Sequence, residues 1–345
     1  MGRPLVSNLL AAGVPRALIL ILALLAYNRS VAPHVGDIDS AEIFAGVMAI
    51  VERVQSMGMT SRGYDIGFHE DLDLTTCAGF LLALILVRRV RPGGLCVFAP
   101  VCSSFAFLNQ GTSGRHGILL PEGPPNVPSV LVGNLLAVRT LLLYRLCCAM
   151  GIVSLIEQPQ HHSSGMAALR RFKEVIRDCA VYRVPICMGW FGTETTKPTF
   201  LFANHKRFAA LQAYRPCASG STASVSKPKK TLVKKKVVDG KIRLTGKRHE
   251  LKSTQTYSED FAKAVVECWL AGCPSTSQEP CVSCAKMVTP MFDDGSCFYD
   301  EEENIRMLFS KPMDWNDDAL LYDVASYLAK CSTLELPKAW PKDWM

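Results

Sequence analysis

The chain has 345 residues, of which 49% are apolar and 20% charged. These are values of a globular protein rather than a disordered chain, and the length allows one large domain with appendages. Its 14 cysteines are scattered, several inside apolar runs (Cys96, Cys147, Cys148, Cys187), which excludes a regular disulfide framework and points to reduced thiols in an intracellular compartment.

The formal net charge of +7 is concentrated. Residues 225–252 hold eleven Lys or Arg against two acids, a local +9, so the rest of the chain carries about −2 by subtraction. One basic segment on a near-neutral body suggests a single surface that faces a polyanion, or else a solvated lysine-rich loop. At the other end, 16-RALILILALLAY-27 is apolar after an arginine. It is short for a membrane span of about 20 residues, and it reads as a targeting or anchoring segment or as an amphipathic leader.

From residue 37 the pattern alternates between strand and helix. The run 41-AEIFAGV-47 reads as a strand that breaks at a glycine, with a helix over 48–58. A short strand at 60–67 carries Asp65 near its end. Residues 78–90 predict an apolar helix with arginines in the last turn, where they suit the helix dipole. Pro92-Gly93 reads as a stop, followed by a buried strand at 94–100. Residues 109–129 form a long loop, and long loops are more often functional than structural. A helix over 131–150, a strand over 152–157 and a helix over 166–180 follow. Then come strands at 184–190 and 199–204, expected as an antiparallel hairpin at the sheet edge.

This alternation predicts an α/β fold with a doubly wound, mostly parallel sheet. The expected organisation is a leader (1–36), an α/β domain (37–217), a flexible basic segment (218–256), and a C-terminal region (257–345). That last region has a helix at 257–272, then a loosely patterned tail with an acidic 300-DEEE-303.

Open α/β sheets keep their chemistry at the carboxyl ends of strands. Two reactive residues fall at such ends: Cys102 in 98-FAPVCSSFAFLNQGTSGR-115, and Glu157 closing 153-VSLIEQP-159. Cys102 also suits a buried small hydrophobe. Glu157 is costly at the end of an apolar strand unless it faces a cleft. Gly46 is followed nineteen residues later by Asp65, a spacing at which an acid can bind a ribose hydroxyl pair. In 70-EDLD-73, Asp73 is placed either to meet an adenine amine or to cap a helix.

In order, Glu-Ile-Phe-Ala-Gly (42–46), Tyr-Asp-Ile (64–66), Ala-Pro-Val-Cys-Ser-Ser-Phe (99–105) and Glu-Gln-Pro (157–159) resemble the motifs of the cytosine-5 DNA methyltransferases. The likeness covers about residues 41–205, and 197-KPTFLFAN-204 is similar to a hairpin of some members. It implies a class I S-adenosylmethionine-dependent methyltransferase fold. Phe44, Gly46, Asp65 and Asp73 would then face the cofactor, Cys102 would be the nucleophile and Glu157 would hold the base.

The partner implied is nucleic acid, DNA rather than RNA. Lys229, Lys230, Lys234, Lys235, Lys236 and Arg243 of the basic segment are its candidate contacts. Met48 and Ala49 stand where the family has glycines, Val101 replaces a proline, and Gln158-Pro159 departs from the usual Asn-Val. A Gln-x-Arg-x-Arg pair, the late Gly-Asn motif and a sizeable target-recognition domain are missing.

Two rival readings are a catalytically silent descendant that binds nucleic acid or protein, and a cysteine hydrolase. The hydrolase lacks a Gly-x-Cys-x-Gly elbow around Cys102. One Cys-x-x-Cys (Cys281, Cys284) has irregular neighbours for a zinc knuckle, and His161-His162 read as loop residues, so no metal site is expected.

Overall fold

The computed structural model describes residues 36–106, 109–115, 119–160, 165–215 and 256–271, and the backbone of 233–238 and 241–246. Six apolar stretches form one sheet: β1 (Ile38–Ile43), β2 (Ser61–Tyr64), β3 (Val90–Phe98), β4 (Val153–Pro159), β5 (Tyr182–Cys187) and β6 (Pro198–Ala203). Their order is β2-β1-β3-β4-β6-β5. The β2-β1, β1-β3 and β3-β4 pairs are parallel, and β6 runs antiparallel to both of its neighbours.

Strand alternation sorts the residues onto two faces. Ile43, Phe98, Ile156 and Phe202 point into a core shared with α2 (Cys77–Arg89), α3 (Pro128–Met150) and α4 (Arg170–Asp178). Val97, Leu155 and Leu201 point the other way. They pack under α1 (Ala49–Gln55), the 3-10 helix Lys206–Tyr214 and α5 (Glu259–Ala271). With both faces covered, the strands read as nearly continuous apolar runs. The helix α3 is long and apolar enough to cross a membrane, but 83% of its apolar window is buried inside the domain.

Three details differ from the sequence reading. β1 spans Ile38–Ile43 rather than 41–47, because Phe44 turns into the left-handed region at φ 64°. The apolar helix ends at Arg89, ahead of Pro92-Gly93 as expected, but the next strand does not wait for Gly94. β3 begins at Val90 and bulges there, so that Val90 pairs with Ile38 while Leu95 already pairs with Ser40. The expected antiparallel hairpin does stand at the sheet edge, with β6 against β4 and β5 outermost. Within the segment expected to be flexible, β7 (Val233–Val238) and β8 (Lys241–Gly246) pair antiparallel.

The helix α5 completes the second core through Phe261, Val265 and Trp269. Its Trp269 indole donates to the Gly93 carbonyl at 2.9 Å, so the β3 bulge also anchors a distant helix. The apolar run 16–27, Lys229, Lys230, His161-His162, Cys281, Cys284 and 300–303 lie outside the described residues.

Candidate active site

The strand order reverses its winding between β1 and β3, the kind of switch point beside which open α/β sheets bind their ligands. The chain leaves β1 through Phe44, Gly46 and Met48, at φ 64°, 51° and 58°. A left-handed conformation costs a non-glycine residue about 1–2 kcal/mol, and strain of this kind collects at functional sites.

Met48 is the N-cap of α1 but gives it no side-chain bond. Glu42 on β1 serves instead: its Oε2 accepts from the backbone N–H groups of Ile50 and Val51, each at 3.2 Å. Glu42 is 1% exposed, and burial pushes its carboxyl up to about 8. Those two N–H groups are the ones a phosphate would need at a helix start. They are already taken.

Asp65 ties this loop to β2. Its Oδ2 accepts from Gly46 N–H at 3.0 Å and its Oδ1 from Gly67 N–H at 2.7 Å. Each oxygen keeps a lone pair for a further donor. Beside it, Ile66 and Phe68 are exposed. Asp73 lies further along, where its Oδ1 accepts from Thr75 N–H at 2.8 Å in the turn before α2. The cap of α2 is Thr76, whose Oγ1 accepts from Gly79 N–H. Asp73 therefore shapes the approach to that helix without capping it.

Cys102 follows β3 and starts the 3-10 turn Ser103–Phe105, its carbonyl accepting from the Phe105 and Ala106 N–H groups at 2.9 Å. The turn is held from beneath. The Arg115 guanidinium, 2% exposed, donates to Ser104 Oγ, Asn134 Oδ1 and the carbonyls of Pro121 and Val130, and stacks 4.0 Å from the centre of Phe105. A Cβ on Gly133 would come within 2.3 Å of Ser104 Oγ, so glycine is what lets α3 approach the turn so closely.

From β4, Glu157 reaches the same side of the sheet as Glu42. The Lys197 ammonium faces its Oε1 at 3.3 Å, an ion pair without hydrogen-bond alignment. The next residue, Gln158, donates from Nε2 to the Pro100 carbonyl at 3.0 Å, which binds the end of β4 to the Cys102 loop. The Cys102 thiol is pushed up to about 11, first by burial and then by the Glu157 charge, while Lys197 opposes the shift. At neutral pH the sulfur carries its proton.

Tyr257, just before α5, completes the group. Its hydroxyl is buried without a hydrogen-bond partner, and burial raises its pKa well above the ordinary value. The charges of Glu157, Glu42 and Cys102 all act on it, in that order. Glu42 Oε1 and Gln158 Oε1 are likewise buried without a partner.

Among the predicted site residues, Phe44, Gly46 and Asp65 meet at the β1–β2 ends, and Cys102 lies beside Glu157. Asp73 belongs to the α2 approach. Lys234, Lys235, Lys236 and Arg243 lie on the β7–β8 ribbon. Sequence reasoning missed Glu42, Gln158, Lys197 and Tyr257 as members of the site. An acid in the middle of an apolar strand is a signal that could have marked Glu42. Tyr257 has no local signal at all. Among the described residues no three His, Cys, Asp or Glu side chains converge as a metal site. No protein-family model and no curated protein sequence matches the chain.

Proposed function

We propose that the chain is an S-adenosylmethionine-dependent methyltransferase that acts on cytosine in nucleic acid, with DNA as the partner. One observation carries the reading: a cysteine and a buried glutamate, on adjacent strand ends, share one electrostatic environment with Lys197. The mostly parallel α/β sheet is compatible with it.

The residues present fit the cofactor. The α1 start is filled by Glu42, which disfavours a phosphate-bearing cofactor and leaves one without phosphate acceptable. Asp65 would take the ribose hydroxyl pair, the open backbone at Gly46 would let the chain approach, and Phe44, Ile66 and Phe68 would flank a planar ring. When bound, the cofactor supplies an electrophilic methyl group.

The chain's own residues do the rest. Carbon 5 of cytosine is too electron-poor to attack directly. As the Cys102 sulfur bonds carbon 6, its proton passes to the neighbouring Glu157 carboxylate, and the displaced electron pair makes carbon 5 nucleophilic. After methylation the carbon 5 proton leaves to solvent and the carbon–sulfur bond breaks. Glu157, holding the proton taken from Cys102, donates it to ring nitrogen 3 and draws charge off the ring, with the Lys197 ammonium close by. A cation brought beside Cys102 favours the thiolate over the resting thiol. The base must leave the duplex for this to happen, and the turn after Cys102 would help to hold it extruded.

An oligonucleotide carrying 5-fluorocytosine tests the reading, because fluorine cannot leave carbon 5 as a proton does and the sulfur stays bonded. With cofactor present, a covalent adduct is expected for wild type and for Cys96→Ser, and none for Cys102→Ser. Cofactor binding by calorimetry with no adduct on single- or double-stranded substrate would leave a silent, ligand-binding descendant. The thiol's raised pKa and the residues Met48 and Ala49 favour that second reading. No cofactor binding at all would reject the methyltransferase reading.

A further inference from the structure

The basic segment folds back on itself in a defined register. Lys234 lies opposite Thr245, Lys236 opposite Arg243 and Val238 opposite Lys241. Between the strands the chain reads Asp239-Gly240, a pair favoured in two-residue hairpin turns. Side-chain positions alternate along a strand, and directly opposed residues share a face. Residues 234, 236 and 238 therefore share one face with 241, 243 and 245. Residues 233, 235 and 237 share the other with 242, 244 and 246.

The charges sort along this division. The two strands contain five cations and no acid. Four of the five (Lys234, Lys236, Lys241 and Arg243) occupy one face. The other holds Val233, Val237, Ile242, Leu244 and Gly246, with Lys235 alone. A lysine run spread evenly for solubility would not be divided in this way.

We infer that the β7–β8 ribbon is a duplex-DNA-binding element whose Lys234, Lys236, Lys241 and Arg243 face meets the phosphates bordering the major groove. Geometry selects the partner. Two paired strands lie about 4.8 Å apart, and the B-form major groove, about 12 Å wide, admits a two-stranded ribbon. Same-face cations two residues apart are spaced by about 6.8 Å, twice the rise of about 3.4 Å per phosphate along one DNA strand. The major groove of A-form RNA is too deep and narrow to be entered. This inference concerns binding alone and stands or falls independently of methyl transfer.

The test uses the full chain without cofactor and a labelled mixed-sequence duplex, with fluorescence anisotropy read across a salt series. Replacing Lys236 and Arg243 together by Gln is expected to flatten the slope of log affinity against log salt by about 1.8, at about 0.9 per lost phosphate contact. Lys235→Gln should change it by less than about 0.3, and an RNA duplex of the same sequence should bind at least about tenfold more weakly. Near-ultraviolet circular dichroism checks that each variant keeps its fold. An effect of Lys235→Gln equal to that of a single Lys236→Gln would overturn the facial assignment. Equal affinity for the RNA duplex would overturn the groove assignment. Vesicles of anionic phospholipid that displace the DNA, with their own binding lost in Leu244→Ser, would identify a membrane surface instead.

Discussion

The Gln158 side chain donates to the Pro100 carbonyl at 3.0 Å and thereby fixes the distance between Glu157, its chain neighbour, and the loop that carries Cys102. A typical hydrogen bond contributes about 1 kcal/mol net. Gln158 also donates to the Glu157 carbonyl at 2.8 Å and buries an acceptor without a partner, so Gln158→Leu removes two bonds and an orphan together. With the Pro100 carbonyl left without that donor, stability should fall by about 1–3 kcal/mol. Local order should change more: alkylation of Cys102, followed by peptide mass spectrometry with buried Cys96 as the internal reference, is expected to accelerate severalfold. An unchanged Cys102 rate would show that the loop is held elsewhere.

The charges around the sulfur give a second expectation. With a thiol pKa pushed up to about 11, the alkylation rate should climb about tenfold per pH unit from neutrality to about pH 10. Glu157 raises that pKa by disfavouring a second negative charge, so Glu157→Gln should shift the profile to lower pH. Lys197 lowers it, so Lys197→Met should shift the profile to higher pH. Two shifts in the same direction would contradict the opposed roles.

Glu42 links the site to stability. Its carboxyl is ordinarily near 4.5 and sits at about 8 when folded, chiefly because of burial. Between these values the folded chain holds a proton that the unfolded chain has released. The contribution is therefore full below about pH 4.5 and is lost as pH rises through about 8, by at most about 1.4 kcal/mol per unit. Glu42→Gln removes the titration. Urea unfolding at pH 6 and pH 8 should show wild type losing about 2 kcal/mol more than the variant. Equal losses would mean that Glu42 is ionised when folded.

The coarse architecture was legible because strand-length apolar runs alternate with helical periodicity, and covered sheets demand such runs. Its boundaries were not. Phe44 reads as a continuing strand residue, and only its neighbours' hydrogen bonds turn it left-handed; Pro92-Gly93 reads as a break, yet β3 absorbs the pair as a bulge. At the candidate site, Cys102, Glu157, Gly46 and Asp65 stood out because a cysteine, an acid or a glycine at the end of an apolar strand is a local mark. Tyr257 arrives from beyond the basic ribbon, just ahead of a helix whose docking depends on Phe261 and Trp269, and no local pattern encodes where a helix docks.

The turn after Cys102 rests on a buried cation that has a ring and four acceptors around it. Burial lowers the Arg115 pKa to about 10, so the group remains charged at neutral pH. Its planar fork spans Ser104, Asn134 and the Pro121 and Val130 carbonyls. Arg115→Met keeps much of the contact with Phe105 but leaves those acceptors unmet, at an expected cost of about 2–4 kcal/mol. Arg115→Lys should recover less than half of the loss, because an ammonium cannot reproduce the fork. Loss of stability alone would fit any buried residue, so the informative readout is local. The Phe105 and Ala106 amides, both bonded to the Cys102 carbonyl, should exchange deuterium faster in Arg115→Met, while the β4 amides keep the protection set by global unfolding. If Phe105 and Ala106 follow β4 in the variant, Arg115 supports the domain as a whole and does not specifically position the cysteine loop.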